Sequence, residues 1–184
     1  MSAGKDLTER RLSGELVYDG SLLKVHRDAV LLPDGSRSER EYIRHPGAVA
    51  ILALFDDGSL LLERQYRYPF GRDFIELPAG KLEPGEPPLE TAKRELQEET
   101  GYVAAAWSRL GVIHTAIAYT DEAIELFLAR KLTELGRNLD DGEFLETLVV
   151  PFGEAMRMIR DGRITDAKTV TALLWYEKWG AAGP

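Results

Sequence analysis

The most constraining feature of this 184-residue chain is an unbroken apolar run, AVAILALF, at residues 48–55. A run without polar alternation suits a strand that is buried on both faces, because a strand with one solvated face alternates apolar and polar residues. Such a strand needs further layers of structure on each side. The sequence therefore predicts a sheet that is covered on both faces.

The segments around this run predict more strands and a few helices. Apolar or alternating stretches bounded by Gly, Pro and Asp predict strands at residues 15–18, 22–32, 39–44, 59–67, 74–77, 107–116, 123–129 and 147–150. Helical patterns predict helices at residues 88–100, 152–161 and 165–178. Residues 1–13 are polar and predict a loose tail. This order indicates an α+β fold in which helices enclose a mixed sheet. The core positions expected in the last two helices are Met156, Ile159, Val170, Leu173 and Leu174.

The composition narrows the class of protein. The chain has no cysteine, so disulfides and thiolate metal sites are excluded and a reducing compartment is permitted. No apolar signal region or membrane-spanning run is present, so we expect a cytoplasmic protein without a membrane partner. The formal net charge of −8 disfavours a nucleic-acid partner. An acidic protein can still bind phosphates through a divalent cation, which directs attention to the carboxylates.

Three carboxylates share one turn of the first predicted helix. Glu95, Glu98 and Glu99 stand at i, i+3 and i+4, so they project from one helix face. Carboxylates this close repel one another. Mg²⁺ is the natural compensating ion, because it prefers carboxylate oxygens and keeps places for water and substrate phosphate oxygens.

Neighbouring residues could complete such a site. Arg94 lies four residues before Glu98, so its guanidinium can orient that carboxylate. The loop at residues 78–80 can bring a backbone carbonyl toward the same ion. The alternative is a solvated helix face with surface ion pairs, which is the usual explanation of a charged run. The full spacing, with glycines on both sides of the helix, favours the metal site.

This spacing resembles the Nudix box, G-x5-E-x7-R-E-U-x-E-E-x-G-U, in which U is a bulky apolar residue. The matching residues are Gly80, Glu86, Arg94, Glu95, Leu96, Glu98, Glu99, Gly101 and Tyr102, the last being aromatic where aliphatic residues are usual. The resemblance implies the Nudix α/β/α sandwich. It also implies a hydrolase that uses Mg²⁺, or Mn²⁺ as a substitute, to cleave the diphosphate linkage of a small nucleoside-diphosphate compound.

The resemblance also assigns roles within the box. The metal ligands it implies are Ala79, through its carbonyl, and Glu95, Glu98 and Glu99, of which Glu98 is also a predicted catalytic residue. It also implies that four residues hold the box in shape: Gly80, Glu86, Arg94 and Gly101. A bound Mg²⁺ can lower the pKa of a water molecule and polarise a phosphoryl oxygen.

Similarity outside the box narrows the expected substrate. The stretches that resemble the bacterial ADP-ribose pyrophosphatase branch are REYIRHPGAVAIL, ERQYRYP, FIELPAGKLEPGE, YTDE, LDDGEF and DAKT. That branch converts ADP-ribose to AMP and ribose 5-phosphate, and its members are homodimers that exchange N-terminal strands. The resemblance therefore implies a dimerisation arm at residues 1–45, including a long β-hairpin at 22–45, and a Nudix hydrolase domain at residues 46–184.

Four residues outside the box are candidate substrate contacts. Arg67 matches an arginine that contacts the diphosphate in this branch, and Arg44 could reach the substrate of the partner subunit. Arginine suits phosphate because its planar guanidinium donates two parallel hydrogen bonds. Tyr18 could stack on adenine, and Glu76 lies beside the metal loop. For each residue the alternative is a packing or surface role.

A second acidic cluster contains Asp140, Asp141, Glu143 and Glu146. By resemblance this is a loop that can supply a general base, with Glu143 as the best match and Asp141 next. Gly142 is compatible with closure of the loop over the substrate. The alternative is an ordinary solvated loop.

One position departs from the pattern of the ADP-ribose branch. Members often carry Ser-Pro-Gly-Phe shortly after the box, but residues 116–119 here are Ala-Ile-Ala-Tyr, so Ile117 replaces the proline that marks substrate class. Two alternatives stay open: hydrolysis of another nucleotide sugar, such as GDP-mannose, or of a dinucleotide, and binding of ADP-ribose without turnover. The histidines lack the spacing of metal ligands and are expected to be structural.

Overall fold

The computed structural model describes residues 4–137 and 144–181, and the chain divides into two compact units. The first unit runs to His45 and also includes Ala116–Glu122. The second unit includes Pro46–Thr115 and the chain from Ala123 onward. The box residues all belong to the second unit.

The described part of the first unit forms a three-stranded antiparallel sheet in the order β1-β2-β3. Its strands are β1 (Arg10–Asp19), β2 (Lys24–Leu31) and β3 (Arg37–Arg44). The turn between β2 and β3 falls at Pro33-Asp34-Gly35, which agrees with the Gly, Pro and Asp residues that bound the predicted strands. Gly35 adopts a φ of +84°, and Asp34 accepts hydrogen bonds from the Ser36 amide (2.9 Å) and hydroxyl (2.6 Å).

Two predicted boundaries in this unit were wrong. The loose tail expected over residues 1–13 ends early, because Arg10 already pairs with Leu31 across the sheet. The strand predicted at residues 15–18 is confirmed as the second half of β1. Residues 10–14, like the rest of β1, have exposed side chains, and they lack the apolar alternation that reveals a half-buried strand. The strand expected from residue 22 begins at Lys24, because the Gly20 amide bonds to the Leu23 carbonyl in a turn (2.9 Å).

The described part of the second unit contains a seven-stranded mixed sheet. Its strands are β4 (Ala48–Leu54), β5 (Ser59–Arg67), β6 (Arg72–Glu76), β7 (Ala79–Lys81), β8 (Tyr102–His114), β9 (Ala123–Glu134) and β10 (Leu145–Pro151). The main path is β10-β5-β4-β9-β8, with β6 beside β5 and β7 beside β4. Strands β4 and β9 are parallel, and the other pairs are antiparallel.

Helices cover both faces of the central strand, as the apolar run predicts. They are α1 (Pro88–Thr100), α2 (Phe152–Arg160) and α3 (Ala167–Trp179). Ile51 lies in a buried cluster with Leu96 of α1, whereas Leu52, on the opposite face, lies in a cluster with Met158 of α2 and Leu173 of α3. Burial of each such side chain contributes about 1.5–3 kcal/mol. The expected α/β/α sandwich with an N-terminal hairpin sheet is confirmed.

Some details of the second unit differ from the predictions. Strands β8 and β9 are longer than expected, because pairing continues as far as Tyr102 opposite Glu134. The short strand β7 was not predicted. Leu173 is buried as expected, but Leu174 is 44% exposed, so its assignment to the core was wrong. Within the described ranges, no helix combines the length and apolar character needed to cross a membrane.

Candidate active site

The packing of helix α1 fixes its rotation about its own axis, and with it the directions in which Glu95, Glu98 and Glu99 project. The helix begins at Pro88, where a missing amide costs nothing, and ends at Gly101, which adopts a left-handed φ of +80°. Ala92 and Leu96 face the core and have no exposed surface. Because these apolar residues hold one face of the helix against the sheet, the carboxylates must project from the remaining faces.

The glycine that opens the box allows strand β7 to approach α1. A Cβ atom at Gly80 would stand 2.5 Å from Glu95 Cγ and closer still to the carboxylate. The neighbouring Ala79 amide donates a 3.0 Å hydrogen bond to Glu99 Oε2. The loop thus meets two of the box glutamates, and this close approach requires glycine at residue 80.

Arg94 is surrounded by carboxylates of the box. It donates hydrogen bonds to Glu86 (3.0 and 3.1 Å), to Glu95 (2.8 Å) and to Glu98 (2.9 Å). The hydrogen bond with Glu86 does most to raise the pKa of Arg94. In turn Arg94, and after it the Thr91 hydroxyl, lowers the pKa of Glu86. Arg94 therefore relieves the repulsion among these acids.

The donor set suits a hard divalent cation, although the side chains are not gathered around one point. Among residues 4–137 and 144–181, no group of three acidic or histidine side chains is arranged as a metal site. Glu95 and Glu98 instead bond to Arg94, and Glu99 bonds to the Ala79 amide. Carboxylates at i, i+3 and i+4 beside a backbone loop supply the oxygen ligands that Mg²⁺ prefers. By donor chemistry the residues fit this ion.

A second cluster joins strands β5 and β6 to helix α3. Glu76 is only 4% exposed, and Arg67 donates to both of its oxygens, at 2.7 and 2.8 Å. Lys168 bonds to the same carboxylate and also pairs with Asp166 (3.0 Å). Burial is the largest influence and raises the pKa of Glu76, but Arg67 and Lys168 together outweigh it and leave the pKa below its usual value.

Electrostatics links this cluster to the box. The hydrogen bond that Arg67 donates to Glu76 does most to raise the pKa of Arg67, and the charges of Asp166 and Glu99 raise it further. Glu99 is a box residue on α1, whereas Asp166 caps α3 by accepting from the Thr169 amide (3.0 Å). Arg67 therefore lies within the electrostatic field of the predicted metal site.

The structure brings together the box residues, Arg67 and Glu76, but it does not place every predicted residue with them. Arg44 and Tyr18 belong to the first unit, and their contacts with substrate stay predictions. Arg44 pairs with Asp121 (2.6 Å) and lies over the Tyr42 ring, while Tyr18 is exposed. The predicted bases Asp141 and Glu143 lie outside the described residues, as does Asp140. Glu146, of the same acidic cluster, pairs with Arg64 (2.5 Å).

The chain on either side of residues 138–143 is anchored beside the box. The Gly101 carbonyl accepts hydrogen bonds from the amides of Leu135 (2.8 Å) and Gly136 (3.1 Å). Arg137 then donates to the Leu145 carbonyl (3.2 Å) and to Thr147 Oγ1 (2.9 Å). The end of α1 is thus tied to both flanks of the segment that carries the predicted bases.

Lys168 was not among the site residues predicted from the sequence. The signal was present in the DAKT stretch, where Asp166 followed three residues later by Thr169 predicts a helix N-cap. A cap at Asp166 places Lys168 in the first turn of α3. This turn packs beside the end of β6, and no pattern in the sequence predicts that contact.

Comparison with known families defines the class of protein. The NUDIX domain model matches residues 44–173, and the model of the nucleoside diphosphate sugar hydrolase N-terminal domain matches residues 9–43. The chain belongs to the Nudix family and is a Nudix hydrolase of the kind that carries this N-terminal domain.

Individual relatives extend the similarity over nearly the whole chain. The ADP-ribose pyrophosphatase of Bacillus subtilis is 39% identical over 94% of this chain and 95% of its own length. The methanol dehydrogenase activator of Bacillus methanolicus is also 39% identical, over 95% of each chain. Among solved structures, an ADP compounds hydrolase aligns with a TM-score of 0.84 and 26% identity over 96% of each chain.

Proposed function

We propose that this Nudix hydrolase is an Mg²⁺-dependent ADP-ribose diphosphatase that releases AMP and ribose 5-phosphate. The observation that carries the proposal is the complete box, from Gly80 through α1 to Tyr102, in a chain that is 39% identical to a protein named ADP-ribose pyrophosphatase. Water supplies the oxygen that joins phosphorus when the bridging P–O bond breaks. Both products are phosphate monoesters.

In this proposal the metal is held by the Ala79 carbonyl and by Glu95, Glu98 and Glu99, with Mn²⁺ as a substitute for Mg²⁺. When bound, the ion supplies an acidified water and a polarised phosphoryl oxygen. Arg94 keeps Glu95 and Glu98 close together before they become ligands. Gly80 leaves the space that the Glu95 carboxylate needs. Glu86 and Gly101 keep Arg94 and the end of the helix in place.

Arg67 binds the diphosphate in this proposal. It lies in the electrostatic field of the box, and its side chain is 43% exposed although its partner Glu76 is buried. A guanidinium held rigidly on one edge can donate two parallel hydrogen bonds to phosphate oxygens. Glu143 or Asp141 acts as the general base that orients or deprotonates the attacking water.

We further propose that the active form is a homodimer that exchanges its N-terminal strands. Strand β1 is a long sheet edge, and it exposes Leu12, Leu16, Val17 and Tyr18. An exposed apolar edge favours pairing with a second copy of the chain. Exchange would carry Arg44 and Tyr18 toward the substrate of the partner. Sedimentation of the pure protein tests this, and a monomer that is fully active would contradict it.

The central test is product analysis with a substrate panel. The protein is incubated with Mg²⁺ and ADP-ribose, ADP-glucose, GDP-mannose, NADH or diadenosine polyphosphates. We expect the fastest turnover with ADP-ribose, giving AMP and ribose 5-phosphate. Faster cleavage of GDP-mannose would assign the alternative substrate class, which the exposed Ile117 at the usual proline position favours. ADP-ribose binding without turnover would instead identify a sensor.

Matched variants on α1 test the metal assignment. We expect Glu98→Gln to lower kcat by about 100-fold or more, because a misplaced or lost ligand no longer orients the reacting groups. Glu90→Gln is the control, since Glu90 lies on the same helix but its side chain pairs only with Lys93 among the described contacts. Glu143→Gln and Asp141→Asn test the general base in the same assay. Near-wild-type rates in both would remove that loop from the mechanism.

A further inference from the structure

Lys168 occupies a place in the site that the proposed reaction has not used. We propose that Lys168 is a positioning residue: its ammonium holds the buried carboxylate of Glu76, and Glu76 in turn fixes the plane of Arg67. The inference rests on the proposed function, because Arg67 acts on the diphosphate there. It adds a residue of α3 to a site built from strands and α1.

The three side chains differ in their access to solvent. Glu76 is 4% exposed and the side chain of Lys168 is 11% exposed, whereas the side chain of Arg67 is 43% exposed. Lys168 is moreover occupied by two carboxylates, those of Glu76 and Asp166. Arg67 is therefore the cation of this cluster that can meet a ligand, and Lys168 acts through its neighbours.

The geometry of Arg67 shows what Glu76 contributes. Nε and Nη2 of Arg67 donate to the two oxygens of Glu76, so one edge of the guanidinium is fully used. An arginine has five N–H groups, and the described hydrogen bonds of Arg67 leave the Nη1 end to other acceptors. That end can make the paired hydrogen bonds that phosphate prefers. A rotation of Glu76 would rotate this donor pair with it.

The position of Lys168 is itself fixed by the start of α3. Asp166 accepts from the amide and hydroxyl of Thr169, at 3.0 and 2.6 Å. The Thr169 hydroxyl oxygen accepts in turn from the Leu77 amide (2.9 Å), one residue after Glu76. The cap therefore ties the first turn of α3 to the end of β6. The backbone of Lys168 is thus fixed beside Glu76, so its ammonium anchors that carboxylate to the start of α3.

Two cations balance two carboxylates in this cluster, which is the condition for burying charge at an acceptable cost. Removing Lys168 leaves Glu76 with Arg67 as its remaining cationic partner among those described. The carboxylate must then shift toward Arg67 or take up a proton. Either change moves the guanidinium away from its position in the wild type, and a shift of about 1 Å in a reacting group can cost roughly 100-fold in rate.

The test is a double-mutant cycle on the full chain with ADP-ribose and Mg²⁺. We expect K168M to lower kcat/KM by about 10- to 100-fold, by analogy with the loss on removing residues that orient metal ligands, with KM raised. K178M is the control, because Lys178 lies exposed on the same helix. K168R should restore part of the loss. In a background of R67A, K168M should have no further effect, because the two residues act as one unit.

A structural role would give a different pattern. If Lys168 only stabilised the fold, K168M would lower the melting temperature and its effect on kcat/KM would add to that of R67A. Additive effects, or an unchanged kcat/KM in K168M, would overturn the proposal. K168Q, which keeps a polar group toward Glu76, serves in the same cycle if K168M does not fold.

A readout without substrate separates this inference from the proposed function. In a ¹H–¹⁵N spectrum of the arginine Nε groups, the Arg67 signal is assigned by its loss in R67A. We expect that signal to be the same in the wild type and K178M and displaced or broadened in K168M. An unchanged signal would refute the positioning role. Failure of the wild type to cleave ADP-ribose would refute the proposed substrate alone, and the cycle would then use the best substrate of the panel.

Discussion

Gly80→Ala is the substitution whose effect the structure defines most sharply. The added Cβ would stand 2.5 Å from Glu95 Cγ, whereas ordinary contacts of a Cβ atom lie at 3.4–4 Å. The Glu95 carboxylate, which lies closer still, must therefore withdraw by at least about 1 Å, and a displacement of that size in a catalytic group lowers the rate roughly 100-fold. In free energy this is about 2.7 kcal/mol of lost transition-state stabilisation.

The backbone at Gly80 does not have a positive φ, so the effect arises from the side chain alone. Gly153→Ala is the matched control, because an added Cβ there meets nothing within 4 Å and the backbone again has no positive φ. At that helical position alanine should be neutral or stabilising by up to about 1 kcal/mol. Stability of Gly80→Ala should fall by no more than about 1 kcal/mol, the value of one partly exposed ion pair.

The assay is the initial rate of ADP-ribose hydrolysis as a function of substrate and Mg²⁺ concentration. Gly80→Ala should lower kcat/KM and require more Mg²⁺ for half-maximal activity, while Gly153→Ala matches the wild type. If Gly80→Ala retained the rate and the Mg²⁺ requirement of Gly153→Ala, the assignment of Glu95 as a metal ligand would be refuted. The close approach of β7 to α1 would then be a packing feature.

Two further predictions concern stability. Leu96→Ala should lower the free energy of unfolding by about 2–5 kcal/mol, because Leu96 is fully buried. Leu174→Ala, at an exposed position, should change it by about 0.5 kcal/mol or less. Denaturant titration compares the two variants, and equal effects would contradict the packing of α1. The folded-state pKa of Glu76 lies below its usual value of 4.5, so its ion pairs stabilise the fold fully above pH 4.5 and are lost as the pH falls through the folded-state pKa. The difference in unfolding free energy between the wild type and Glu76→Gln should therefore narrow below pH 4.5, and a gap that stays constant down to pH 2 would show that Glu76 does not titrate as the structure implies.

The elements that depend on local pattern were predictable from the sequence. The unbroken apolar run at residues 48–55 became β4, and Pro88 and Gly101 mark the ends of α1. The grouping of Gly80 with Glu95 also followed from the spacing of the box, since a close approach that leaves no room for a Cβ atom requires glycine, and glycine can be read from the sequence. In these cases the cause lies within a few residues of the element itself.

Features that depend on distant pairing were not predictable. Residues 15–18 were predicted as a strand, but the first half of β1 has exposed side chains and is defined as a strand by its hydrogen bonds to β2, so no local apolar pattern reveals that half. Lys168 contacts Glu76, which lies 92 residues earlier in the chain, and no pattern in either segment predicts this contact. The bonds of Arg94 to Glu86 and Glu95 also went beyond the single pair with Glu98 that helical spacing predicts.

The carbonyl of Gly101 has a consequence beyond the end of α1. It receives the amides of Leu135 and Gly136, and Arg137 then reaches across to Leu145 and Thr147. The chain thus leaves β9 and enters β10 at points that hydrogen bonds hold together. Because the two ends are already held, the number of residues between them can change at a modest entropic cost. A change in the length of that segment would therefore leave α1 and its carboxylates in place.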